Sequence, residues 1–301
     1  MSLAGVRAAD ARLLDIGRLV AVPAIWGGTF VAGKIVVGSL TPLMGSFARY
    51  VIACAALLVA AFVLEGGLPR LTAKQWAATF VLGLFGVFCY NLFFMGALAK
   101  LPASRAALII ALNPAITIAI SAFALNERLS ARRWLGVAVA LLGVAIVVSR
   151  GEITSLSGGG VGMGELYMFA AVTSWALYTI IGRKVLGGLT PLAATNYAAL
   201  WGTLMLGLLA APSFDTLHPT QFDWRMITSL LYLGVLGTAV AFVWYYMSVK
   251  KVGASTTSIF NNLVPVFGVA ISVLLLGEDV LASMLVGGAV TIVGVLMVSR
   301  A

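Results

Sequence analysis

Trp26, Phe30 and Lys34 stand four residues apart, so on a helix they share one stripe that ends in a cation. The stripe returns 149 residues later as Trp175, Thr179 and Arg183. Aromatic faces beside a positive charge suit non-covalent capture of a planar solute bearing a carboxylate. The plainer reading is a tryptophan packed on a neighbour and a cation snorkelling to an interface. Tyr90, Asn91, Asn113, Asn261 and Asn262 add polar groups inside apolar runs. An amide facing lipid is expensive, so these side chains should point inward, either to bond neighbouring helices or to touch a solute. Arg49 lies two turns inside its run, where it either snorkels or faces the interior.

Covalent chemistry finds no support. No Asp or Glu falls in the middle third of an apolar run, the only histidine is His218 in a polar link, and His-Glu-x-x-His is absent. That removes an intramembrane aspartyl protease, a metalloprotease and a serine nucleophile with a histidine base. It also argues against a mid-membrane carboxylate proton relay. No metal-ligand cluster and no cofactor motif is present; the glycines from Gly158 to Gly164 lack the Lys-Ser/Thr of a phosphate loop. The net charge of +9 comes from residues between apolar runs, where they orient a membrane protein, so no nucleic-acid partner is expected.

The elements that must position these groups are membrane helices. With 61% hydrophobic and 10% charged residues, the 301-residue chain departs far from a soluble composition. A span needs about 20 mostly apolar residues. On that template the sequence predicts ten, near 18–38, 43–64, 75–98, 104–125, 133–149, 164–186, 191–211, 225–249, 255–276 and 281–299. The fourth and ninth are the centre of the pattern. Pro102 to Glu127 and Gly253 to Glu278 share Ala-Ser, a central proline (Pro114, Pro265) and a terminal Glu in register. A proline at mid-span frees a carbonyl, which lipid does not satisfy, so both segments belong in a protein-lined, hydrated interior. Pro114 and Pro265 are therefore candidate helix breaks; Arg183, Glu127 and Glu278 are candidate gate residues, with helix-end hydrogen bonding the plainer role of the two glutamates.

Leu40-Thr41-Pro42 and Leu189-Thr190-Pro191, and Gly136 with Gly143 against Gly287 with Gly294, extend the duplication. The chain thus divides into an N-terminal five-helix repeat (1–150), a Gly-rich linker (151–163) and a C-terminal five-helix repeat (164–301). Because five is odd, the second repeat enters from the opposite face. The fold expected is an all-α integral membrane protein, ten helices as two inverted repeats around a central cavity, an architecture used for alternating access. Thirteen of the nineteen Lys and Arg fall on the side of the N-terminus, which predicts both termini in the cytoplasm. The glycine faces allow close packing within or between chains, compatible with a monomer or a weak oligomer.

Trp26-Gly27-Gly28-Thr29-Phe30, Asn113-Pro114-Ala115 with Glu127, and the five-plus-five duplication together resemble the EamA-type branch of the drug/metabolite transporter superfamily over nearly the whole chain. Within it the chain is most similar to exporters of aromatic amino acids. The resemblance implies a carrier in the bacterial inner membrane, with the lipid bilayer and a small-molecule substrate as its partners. Other solutes of the same family, such as nucleosides or drugs, and a non-transporting receptor or a membrane enzyme are the alternatives.

Overall fold

The computed structural model describes residues 3–124, 130–149, 161–185, 188–252, 257 and 260–300. They form helices and links only; among the described residues there is no strand. In order these are α1 (Leu3–Ser39), α2 (Pro42–Glu65), α3 (73–100), α4 (Ala103–Ile110), α5 (Asn113–Ala124), α6 (Ala131–Ser149), α7 (Met163–Val185), α8 (Pro191–Ala210), α9 (224–252), α10 (Val264–Leu276) and α11 (Ala282–Arg300). Seven stretches are long and apolar enough to cross a membrane; Val264–Leu276 and Ala282–Val298 are apolar but shorter. Large apolar side chains point outward, with Val63, Leu208 and Leu274 at least 70% exposed, as suits a surface solvated by lipid.

Local sequence sets the helix ends. Thr41 and Thr190 cap α2 and α8, each side chain accepting from the N–H three residues on (Met44 at 3.3 Å, Ala193 at 3.1 Å), and each is followed by a proline at the first helical position. Thr72 and Gln75 close a capping box at the start of α3. Gly66 ends α2 in the left-handed conformation, φ 74°, that glycine adopts without strain.

Two interruptions recur in both halves of the chain. First, α3 contains a π-helical stretch at Gly83–Cys89 and α9 one at Tyr232–Val240. Second, the helix breaks before Pro114 and again before Pro265. At the first, Leu112 donates to Ile109 at 3.1 Å and Ile116 to Leu112 at 2.9 Å; at the second, Leu263 donates to Phe260 and Phe267 to Leu263, both at 2.9 Å. The two breaks match bond for bond, 151 residues apart. Proline has no N–H, so the carbonyls of Ile110 and Asn261 lack their helical partners.

Packing follows the same rule of exchange. α1 packs on α10 while α7 packs on the α4 and α5 pair; α2 packs on the π stretch of α9 while α8 packs on the π stretch of α3. α2 meets α8, and α6 meets α11 in the tightest crossing of the molecule. There a Cβ on Gly143 would sit 2.4 Å from the Thr291 N and 2.6 Å from the Gly287 O, and one on Gly294 2.3 Å from the Ala140 N. Backbone touches backbone at this crossing, which only glycine permits. A buried apolar cluster of Val36, Leu98, Leu101, Ala103 and their neighbours fills the end of the bundle where α3 stops and α4 begins.

Candidate substrate-binding site

A partly open cavity of about 530 Å³ lies between the two broken helices. Its wall includes Ile110, Ala111, Asn113 and Pro114 from one break and Asn261, Asn262, Val264 and Pro265 from the other. Broken helices are tolerated at membrane depth where they line such a space. Asn113 lines this region, and its buried Oδ1 has no partner among the described residues.

Aromatic rings form the rest of the middle. Trp26 packs on Phe242 at 5.8 Å and Tyr245 at 5.6 Å, and its indole N–H donates to the Gly237 carbonyl at 3.1 Å, which fixes the ring. Tyr90 packs against Trp175 at 5.3 Å and stacks on Phe94 at 5.6 Å; Phe94 in turn meets Phe30 edge-on. Thr29 and Thr179 also line the space. The volume falls in the range of small-molecule pockets, about 300–1,000 Å³.

The charge of the cavity is positive. Arg49 and Arg133 line it, and among the described residues no Asp or Glu does. Arg49 is buried; its Nη1 donates to Asn91 Oδ1 at 3.0 Å and its Nη2 to Thr238 Oγ1 at 3.3 Å. Both partners are set by the π stretches. Asn91 Nδ2 donates to the Val87 carbonyl at 2.8 Å, and the Thr238 hydroxyl to the Leu233 carbonyl at 2.9 Å, five residues back. Each π turn thus aims one polar side chain at the same guanidinium, in keeping with the frequent placement of π bulges at functional sites.

Of the residues singled out from sequence, Trp26, Phe30, Tyr90, Asn113, Trp175, Thr179, Asn261, Asn262, Pro114 and Pro265 line the cavity. Asn91 does not; it is fully buried behind Arg49 and holds it. Lys34 stands apart as well, because its ammonium donates to the carbonyls of Leu98 and Leu101, both at 2.8 Å. Those carbonyls end α3, where no N–H is left to bond them, so they capture the cation. Glu278 accepts from the first two N–H groups of α4, Ala103 at 2.7 Å and Ser104 at 2.8 Å, so it ties the end of α10 to the start of α4. Beside it Arg105 and Glu165 form a buried ion pair at 2.8 Å. Glu127 and the side chain of Arg183 lie outside the described residues.

Sequence reasoning did not place Phe242, Thr238, Tyr245 or Arg133 at the site. The signal was there for three of them: Thr238, Phe242 and Tyr245 are spaced i, i+4, i+7 and so share one helical face.

Comparison with known proteins identifies the family. The EamA-like transporter family model matches twice, over residues 16–149 and 162–300. The chain is 29% identical to the uncharacterized transporter YyaM of Bacillus subtilis over 274 residues, covering 91% of this chain and 89% of that protein. It is 29% identical to a probable amino-acid metabolite efflux pump of Salmonella typhimurium, covering 91% and 90%. It is 28% identical to a probable terminal-alkyne amino-acid exporter of Streptantibioticus cattleyicolor, covering 94% and 92%. A solved crystal structure, 20% identical, superposes with a TM-score of 0.65 over 96% of this chain and 97% of that one, a likeness of fold.

Proposed function

The chain belongs to the EamA-like transporter family, a multi-pass membrane transporter, and we propose that it exports aromatic amino acids and similar metabolites across the bacterial inner membrane by alternating access. The observation that carries the reading is the cavity of about 530 Å³ walled by both helix breaks and by Trp26, Phe30, Tyr90 and Trp175. Aromatic rings supply apolar contact to a flat side chain, and the freed carbonyls and amides supply polar contact to its backbone groups. Two relatives named for amino-acid or amino-acid metabolite export are consistent with that solute class.

The transport domain is read as two inverted five-helix repeats, a description supported by the double family match, the matched breaks and the exchange of packing partners. In this reading the halves rock about the mid-membrane site. One end is shut in the present conformation by the apolar cluster around Leu98 and Leu101, by Lys34 on their carbonyls, by Glu278 on α4 and by the Arg105–Glu165 pair. The cavity instead reaches toward Ser121, Arg133 and Val298, at the end that carries the N-terminus. With the N-terminus in the cytoplasm, this is an inward-facing state. Lys34 and Glu278 are then latch residues of the far gate, and Pro114 and Pro265 are the points at which the core helices bend.

The test is flux into liposomes holding the purified protein, comparing labelled tryptophan or phenylalanine with a non-aromatic amino acid and a purine nucleoside, with and without a pH gradient. Saturable aromatic flux is expected, insensitive to the gradient because no acid among the described residues lines the cavity. Preference for the nucleoside would replace the substrate class, and absence of flux for all solutes would remove the transport reading at this site.

A further inference from the structure

We infer that Arg49 selects the solute by its carboxylate, so that the substrate class is apolar and aromatic carboxylates as a whole, with the amino group dispensable. The inference deepens the carrier reading and rests on it. Arg49 is 6% exposed, lines the cavity, and has no acidic partner among the described residues. Its two hydrogen bonds go to neutral oxygens, Asn91 Oδ1 and Thr238 Oγ1, and its Nε has no partner among the described residues. These bonds orient the guanidinium without neutralising it. A desolvated cation left without a counter-ion is costly, and a bound anion relieves that cost while completing a bidentate contact.

The second half of the inference comes from what the cavity offers an amine. Among the described residues its lining carries Arg49 and Arg133 and no carboxylate. The acceptors that the lining residues carry are neutral, among them the side-chain amide of Asn113 and the carbonyls of Ile110 and Asn261 that Pro114 and Pro265 leave without a helical partner. Such groups satisfy N–H bonds but do not offset a charge, and two cations in the same wall oppose it. The ammonium of a zwitterion is tolerated; a solute carrying only an ammonium is rejected. Lys34 takes no part, since both carbonyls it bonds belong to the closed end.

Three indole compounds separate the contributions: tryptophan, indole-3-propionate, which lacks the amine, and tryptamine, which lacks the carboxylate. With the wild-type protein in liposomes, saturable flux is expected for the first two with affinities within about 10-fold, and for tryptamine at least about 100-fold weaker. Arg49→Gln should weaken both acids about 10- to 100-fold, Arg49→Lys less, because it keeps the charge and loses the fork. Asn91→Asp keeps Arg49 but sets a carboxylate against it, and should also weaken the acids. Tryptamine moving as well as tryptophan in the wild type overturns the inference and leaves the carrier standing, as does acid affinity within twofold of wild type in folded Arg49→Gln and Asn91→Asp. If none of the three compounds moves, the aromatic substrate reading falls and the inference falls with it.

Discussion

Glu278→Gln should open the closed end of the cavity without unfolding the protein. The carboxylate accepts from Ala103 N and Ser104 N at 2.7 and 2.8 Å, two N–H groups that have no partner inside α4. A glutamine at 278 keeps one accepting oxygen, loses the other, and loses the negative charge at the helix N-terminus. A hydrogen bond to a charged group contributes about 1.5–3 kcal/mol, and the helix dipole about 0.3–1 kcal/mol more at a partly exposed site. If these contacts exist only when this end is shut, and the oxygen that glutamine keeps preserves part of one bond, a net loss of about 1.4–2.7 kcal/mol shifts the open-to-closed ratio by about 10- to 100-fold. The reporter is a single cysteine at Ala106, fully buried one turn into α4, in a background where Cys54 and Cys89 are alanine. Its reaction rate with a water-soluble maleimide should rise about 10- to 100-fold in Glu278→Gln, while the melting temperature in detergent stays within a few degrees. A lower melting temperature with an unchanged labelling rate would mean that Glu278 caps α4 in every conformation. That result refutes the latch.

Gly143→Ala should lower stability by about 1–3 kcal/mol in a denaturant or thermal unfolding assay, because the new methyl meets the Thr291 and Gly287 backbones. Gly38→Ala, where no heavy atom lies within 4 Å, is the paired control and should be neutral or stabilising by about 0.5–1 kcal/mol. Pro114→Ala restores an N–H to the Ile110 carbonyl, so the melting temperature should rise while turnover in liposomes falls about 10-fold; turnover at the wild-type rate would remove the break from the mechanism. Trp175→Leu takes away a ring that packs on Tyr90 and Tyr178, and should weaken tryptophan about 2- to 10-fold with less effect on a non-aromatic substrate; equal loss for both would make the ring structural only.

How far the sequence foretold this arrangement depends on what each residue type constrains alone. The helix limits followed from apolar runs and from Thr-Pro pairs, both local signals, and the predicted 43–64 and 191–211 lie within a residue of Pro42–Glu65 and Pro191–Ala210. The helix breaks were legible because a missing N–H is a property of proline itself. The two outer cations were not separable in the same way. Lys34 and Arg49 sit at similar depths in adjacent helices, and nothing in either helix says which will find the free carbonyls at the end of α3 and which will face the cavity. That difference is one of rotation about the helix axis, set by tertiary packing. The π stretches were hidden for a related reason. They add a residue to a turn without changing composition, yet that extra residue rotates the next turns of the helix and aligns Asn91 and Thr238 on Arg49. In hindsight the glycine pairs Gly83, Gly86 and Gly234, Gly237, again 151 residues apart, mark both places.

In the proposed inverted-repeat carrier, the duplication makes a movement available to a bundle so closely packed. Most tight contacts of the core join one half of the chain to the other: α1 with α10, α7 with α5, α2 with α9, α8 with α3. In that reading a contact and its counterpart lie on opposite sides of the cavity, so a tilt that loosens one can tighten the other at little net change in buried area. The α6–α11 crossing is its own counterpart, with Gly136 against Gly294 and Gly143 against Gly287. It has no opposite member to compensate for a loss, and its backbone contacts leave no slack for sliding. A pivot should sit there, and the gate should sit where Lys34 holds the end of α3 and Glu278 the start of α4. The Gly143→Ala variant therefore probes more than stability: if the crossing is the pivot, the variant should slow transport beyond what its folded fraction accounts for, and flux proportional to folded protein would move the pivot elsewhere.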